Sequence, residues 1–195
     1  MSFKQLTVGA ALALAVVGSA QAAAFTFSGT IASHKDVIEI PFSLTTDATN
    51  VRVWTDSYMN GLNFDPITAV WNGSGVLIGQ NDDNASIAPG QTRYDSGLVF
   101  STLAAGNYLF TIATYNNFAV SSNLSDGFSF DHQAPIPLAL WCEPASHCNM
   151  GPAWQVHLTG VDGAISPVPE PATYGMLIVG LGLLGFAARR RQGSK

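Results

Sequence analysis

Basic residues are scarce through most of this chain. Its 195 residues include eight lysines and arginines against thirteen acids, a net charge of −5. Lys4, Arg189, Arg190, Arg191 and Lys195 lie at the two ends, leaving only Lys35, Arg52 and Arg93 among all thirteen acids, about −10 for that stretch. Such a surface repels phosphate and anionic lipid heads, which excludes nucleic acid as a partner. Helical periodicity is also missing: outside the two ends no ten-residue stretch repeats its apolar positions every 3.6 residues. There is no internal repeat and no calcium-binding nonapeptide array. No Gly-x-Ser-x-Gly elbow, zinc-protease helix motif, phosphate loop or dinucleotide fingerprint occurs.

Catalytic side chains are correspondingly few. The histidines are His34, His132, His147 and His157. Asp131 and His132 would need a serine to form a nucleophilic arrangement, and Gly73-Ser74-Gly75 reads instead as a hairpin turn. Asp82 and Asp83 are neighbours on one loop rather than acids facing each other across a cleft. The expectation is a protein that is not an enzyme.

The ends carry addressing information. Lys4, an apolar run from Leu6 to Val17 and Ala20-Gln21-Ala22 make residues 1–22 a secretory signal peptide cleaved after Ala22, with Ala24 as second choice. At the other end, a proline-rich linker at 166–172 contains Pro169-Glu170-Pro171, and an apolar run continues from Tyr174 to Ala188. As a helix that run is about 22–24 Å long, short of the ~30 Å hydrocarbon core, yet able to span if the bilayer thins. A transmembrane helix is therefore expected at 173–188. The tail at 189–195, with Arg189, Arg190 and Arg191, is the stop-transfer signal that stays cytoplasmic. The triplet, the Gly/Leu-rich span and the arginine cluster, in that order, resemble the PEP-CTERM sorting signal of exported Gram-negative proteins. The resemblance implies an exosortase as processing partner, transient anchoring in the inner membrane through the C-terminal helix, and a final place at the cell surface or beyond.

Export also decides how Cys142 and Cys148 are read. A pair six residues apart in an oxidising compartment forms a disulfide worth ~2–3 kcal/mol in the chain-entropy model. The competing reading is a zinc site built from both cysteines, His147 and either His132 or His157.

The middle, 23–165, reads as one extracytoplasmic β-sandwich domain. Strands are expected at Ala24–Ser28, Val37–Leu44, Val51–Asp56, Ile67–Trp71, Val76–Gln80, Ser96–Leu103, Asn107–Thr114 and Gln155–Gly160, with glycine-rich turns between them. Pro41 places the second strand at an edge, because it cannot donate to a ladder. Residues Asn116 to Met150, rich in Ser, Asn, Asp and Pro, are expected as long loops tied down by the cysteine pair, with Phe118, Phe128, Phe130 and Trp141 exposed. The fold class is all-β and jelly-roll-like.

One segment has its own pattern: Phe64-Asp65-Pro66, Asn72-Gly73-Ser74-Gly75, Asn81-Asp82-Asp83-Asn84, Asp95-Ser96 and Ala105-Gly106-Asn107-Tyr108. It resembles bacterial pre-peptidase C-terminal domains and related PEP-CTERM-associated proteins. That resemblance implies a jelly-roll-like sandwich in which some members bind calcium or polymeric ligands. On the residues themselves, Asp65, Asn81, Asp82, Asp83 and Asp95 adjoin strand ends and supply the hard oxygens that calcium needs. The alternative is that they cap turns.

The sequence thus points to an exported, non-catalytic surface or extracellular-matrix protein. A carbohydrate-binding module for exopolysaccharide, with Trp54, Trp71, Trp141 or Tyr58 stacking on sugars, is the second expectation. A small secreted hydrolase is the third.

Overall fold

The computed structural model describes residues 23–144 and 147–166. The expected signal peptide with Ala22, the PEP triplet, the helix at 173–188 and the arginine cluster lie outside these residues. Among the described residues no helix is long and apolar enough to cross a membrane.

Every strand expected from the sequence forms. They are β1 (Ala23–Thr30), β2 (Ile38–Leu44), β3 (Ala48–Thr55), β4 (Pro66–Asn72), β5 (Leu77–Asn81), β6 (Gly97–Leu103), β7 (Gly106–Thr114) and β8 (Ala153–Val161), followed by a two-residue β9 (Gly163–Ala164). They make two antiparallel sheets, ordered β1-β8-β3-β6 and β5-β4-β7-β2-β9. Alternate residues of the strands meet between the sheets. Ile40, Phe42, Val51, Val53, Val70, Phe110, Ile112, Val156 and Leu158 are all buried there.

Pro41 illustrates how composition sets topology. It pairs with Leu109 of β7 in the register, but its carbonyl accepts the Ile165 N–H at 2.9 Å on the opposite side. In an antiparallel ladder a residue's N–H and C=O face the same way. The missing donor of Pro41 therefore faces the short β9 edge, and no β7 bond is lost.

β4 is buried from Pro66 to Trp71, on both faces. Its inner side chain Val70 joins the main core; Ala69 and Trp71 form a second apolar cluster with Phe128 on the outer face. This corrects the expectation for 116–150. Phe128, Phe130 and Trp141 are 7–9% exposed, so this segment packs down as a cover. It contains two three-residue 3-10 turns, Leu124–Asp126 and Leu138–Leu140. Trp71 Nε1 donates to Thr111 Oγ1 at 3.0 Å, which satisfies the one polar atom that this covering would strand.

Candidate metal centre

Cys142 and Cys148 are joined by a disulfide. Both thiolates are thereby spent, and the zinc arrangement expected as the alternative cannot form: His132 is exposed, and His157 is engaged by Asp56 and Thr26. The disulfide closes a small hairpin in which Cys142 bridges Cys148, and the Glu143 N–H donates to the His147 carbonyl at 2.9 Å. Glu143 and His147 are the next pair inward, and His147 Nδ1 is hydrogen-bonded to Glu143 Oε1.

Both ends of this hairpin are pinned to the sandwich. Trp141 stacks on His34 with ring centroids 5.1 Å apart and meets Phe130 edge-on at 6.0 Å. On the other side Met150 is buried, Gly151 N–H donates to the Leu62 carbonyl at 2.8 Å, and Phe64 N–H donates to the Gly151 carbonyl at 3.1 Å. A Cβ on Gly151 would lie 2.5 Å from Asn63 Oδ1 and 2.7 Å from the Leu62 oxygen, so glycine is what lets the two chains approach. Asp65 follows directly after the Leu62–Phe64 segment.

A second connection brings Asp82 and Asp83 to the same place. The β4–β5 hairpin pairs Thr68 with Asn81, so the residues after β5 return to the start of β4, where Asp65 stands. Carboxylate oxygens of Asp65, Asp82 and Asp83 lie within 4.8 Å of one another, and so do ligand atoms of Asp65, Glu143 and His147. Asp65 is 5% exposed and Glu143 2%. Asp65 Oδ1, Asp82 Oδ1 and Glu143 Oε2 are closed off from solvent and have no hydrogen-bond partner.

The electrostatics follow from this crowding. Burial, and then the charges of Glu143, Asp82, Asp83 and Asp95, push the Asp65 carboxyl up to about 9. Burial, with Asp83 alongside, pushes Asp82 up to about 6. Burial raises Asp83 as well, with Arg93 opposing. Glu143 is raised by burial and by Asp82 and Asp83, against the pull of His147. Even Tyr58, raised first by its own burial, registers the charges of Asp65 and Glu143.

Two of the five expected calcium ligands are occupied elsewhere. Asp95 is fully buried and accepts four bonds, from Thr55 Oγ1 (3.1 Å), Tyr58 N (3.0 Å), Thr92 N (2.7 Å) and Thr92 Oγ1 (2.9 Å). Asn81 turns its Oδ1 to β6, 3.1 Å from Ser96 Oγ and 3.3 Å from Gly97 N. These two are turn-holding residues, as the capping alternative has it. In their place stand Glu143 and His147, which the loop-centred reading of the sequence did not join to the aspartates. One signal was present. A disulfide between residues 142 and 148 sets 143 opposite 147, an acid facing an imidazole.

The other polar constellation lies on the outer face of β1, β8 and β3. His157 Nδ1 is 2.9 Å from Thr26 Oγ1, and its Nε2 is 2.8 Å from Asp56 Oδ2, beside a cleft of about 690 Å³ lined in part by Asp56, Ser57 and Trp154. Thr26 and His157 are cross-strand partners in the register, so their contact follows from the pairing. Asp131, beside His132, accepts the Phe128 N–H at Oδ2 at 2.8 Å. The aromatics expected to stack on sugars are not available as a row. Trp71, Trp141 and Tyr58 are buried, and Trp54 stacks on His157 with centroids 5.0 Å apart.

Residues 167–191 match the PEP-CTERM protein-sorting motif. No curated protein matches the chain. The motif implies an exported protein that is processed by an exosortase and destined for the cell surface or the extracellular space.

Proposed function

We propose that the chain is a non-catalytic surface or extracellular-matrix protein whose acidic sandwich is the delivered cargo and whose C-terminal segment is a temporary handle. The sorting-motif match at 167–191 carries this reading. The charge distribution supports it. Basic groups at both ends favour a topology with each end cytoplasmic before processing and the acidic middle outside. In this reading 173–188 spans the inner membrane until cleavage near Pro169-Glu170-Pro171.

The delivered domain is a jelly-roll-like sandwich of the kind that the pre-peptidase C-terminal resemblance implies. The strand order supports this: all but one connection from β1 to β8 crosses between the sheets, the exception being the β4–β5 hairpin. Supporting a non-catalytic role, the hydroxyl nearest an Asp–His pair belongs to a mid-strand threonine.

The test is the intact mass of the protein recovered from cells with and without the exosortase. The expected outcome is loss of the segment from Tyr174 to Lys195 only where the exosortase is present. Retention of that segment in both strains refutes the handle.

A further inference from the structure

We propose that Asp65, Asp82, Asp83 and Glu143 together bind one calcium ion, with His147 holding Glu143 in position. The proposal stands apart from the sorting reading and rests on the interior of the domain. A buried carboxylate oxygen without a donor is costly, and such groups are normally hydrogen-bonded or on a metal. Here three such oxygens, Asp65 Oδ1, Asp82 Oδ1 and Glu143 Oε2, belong to two triads that share Asp65, one with Asp82 and Asp83 and one with Glu143 and His147. Two belong to side chains with 5% and 2% exposure, Asp65 and Glu143. No lysine or arginine among the described residues pairs with any of the four acids. Arg93, the basic group whose charge is felt at Asp83, lies over the Tyr94 ring at 4.8 Å.

The donor set selects the ion. With Glu143 Oε1 engaged by His147, the four carboxylates offer up to seven hard oxygens, within the six to eight that calcium takes in flexible geometry. Softer metals would seek thiolate or imidazole, but the cysteines are bonded to each other and His147 Nδ1 is committed to Glu143. That bond holds Oε1 and leaves Oε2 for the ion, the usual division of labour between a ligand and the residue that orients it. Asp83 is exposed and Asp82 half-buried, so ion and water enter from their side.

The ligands come from three segments: the β4–β5 hairpin returns Asp82 and Asp83 to Asp65, and the disulfide-closed hairpin adds Glu143. Reduction releases Glu143 and His147 from their fixed pairing, so the complete site belongs to the oxidised, exported protein.

The full chain, purified in detergent under oxidising conditions and stripped with chelator, tests this with CaCl2. The expected melting temperature rises by about 5–10 °C at 10 mM CaCl2, with half-effect at about 0.1–1 mM. Terbium, a luminescent calcium substitute, is expected to emit on excitation of the nearby tyrosines, Tyr58 and Tyr94. Glu143→Gln and the exposed Asp83→Asn each raise the half-effect concentration at least about tenfold, as does reduction, while Asp126→Asn on a distant turn changes nothing. A wild-type chain whose melting and terbium emission ignore the ions overturns the site. So does a cooperatively folding Glu143→Gln or Asp83→Asn chain that responds like wild type. Tighter binding of ZnCl2 or MgCl2 than of CaCl2 overturns the choice of ion.

Discussion

Replacing Asp65 by asparagine should make the metal-free protein more stable. The side chain makes no hydrogen bond among the described residues, its Oδ1 is unpartnered, and its backbone carbonyl keeps the Tyr115 N–H at 2.8 Å whatever the side chain. Asparagine is nearly isosteric and can donate to Glu143 or Asp82. The gain comes from charge. The Asp65 carboxyl stands near 9 in the fold, against an ordinary 3.8. A folded acid with a raised pKa binds more protons than the unfolded chain between those values. The stability it supplies is therefore complete below about pH 4 and is lost as pH rises towards 9. At 1.36 kcal/mol per unit, the loss accumulated by pH 7 is ~4 kcal/mol, and with the neighbouring acids taking up part of the proton we expect about 2–4 kcal/mol. Urea unfolding of the full chain in chelator, followed by the fluorescence of the buried tryptophans, measures it at pH 5, 7 and 8.5. Wild type should weaken steadily across that series, and Asp65→Asn should weaken less and unfold at higher urea at pH 8.5. In 10 mM CaCl2 the order should reverse, because only wild type gains the ion. A variant that is less stable than wild type in chelator at pH 8.5, or a difference that does not change with pH, refutes the electrostatic reasoning.

Other residues test the frame around the cluster. Asp95→Ala removes the acceptor for the N–H groups of Tyr58 and Thr92 in a fully buried position and should cost about 3–5 kcal/mol by chemical denaturation, with or without calcium. A cost under ~1 kcal/mol would mean that water reaches those donors and that the buried cap is misassigned. Gly151→Ala pushes a Cβ against Asn63 Oδ1 and the Leu62 carbonyl. It should both destabilise the domain by about 1–3 kcal/mol and weaken the response to calcium, since the same contact seats the Glu143 hairpin beside Asp65. A Gly151→Ala chain that is destabilised but titrates with calcium like wild type would separate the hairpin from the site.

What was legible in the sequence was local. Alternation of side chains in β2 and β3 states which face is buried, because a strand's period of two is written into consecutive residues. Pro41 stated only that one side of β2 lacks a donor, a side that the two-residue β9 takes, and the C-terminal segment stated an address because its triplet and basic cluster act within a single stretch. The cysteine spacing stated a disulfide for the same reason.

The tertiary structure decided everything that depended on who stands beside whom. Asp65 and Asp95 are the same residue type, each adjoining a strand end, and nothing in their immediate sequence separates them. Asp95 meets four donors and becomes a cap; Asp65 meets three other acids and is left unpartnered. Phe128, Phe130 and Trp141 carry no periodic signal; Phe128 is buried because the outer face of β4 needed covering, and Phe130 and Trp141 because they close on the main core beside His34. Glu143 is far from Asp65 along the chain and reaches it only because Trp141, Met150 and Gly151 anchor its hairpin on either side. Burial and opposition of charge are properties of neighbourhoods, and a chain acquires its neighbourhoods only by folding.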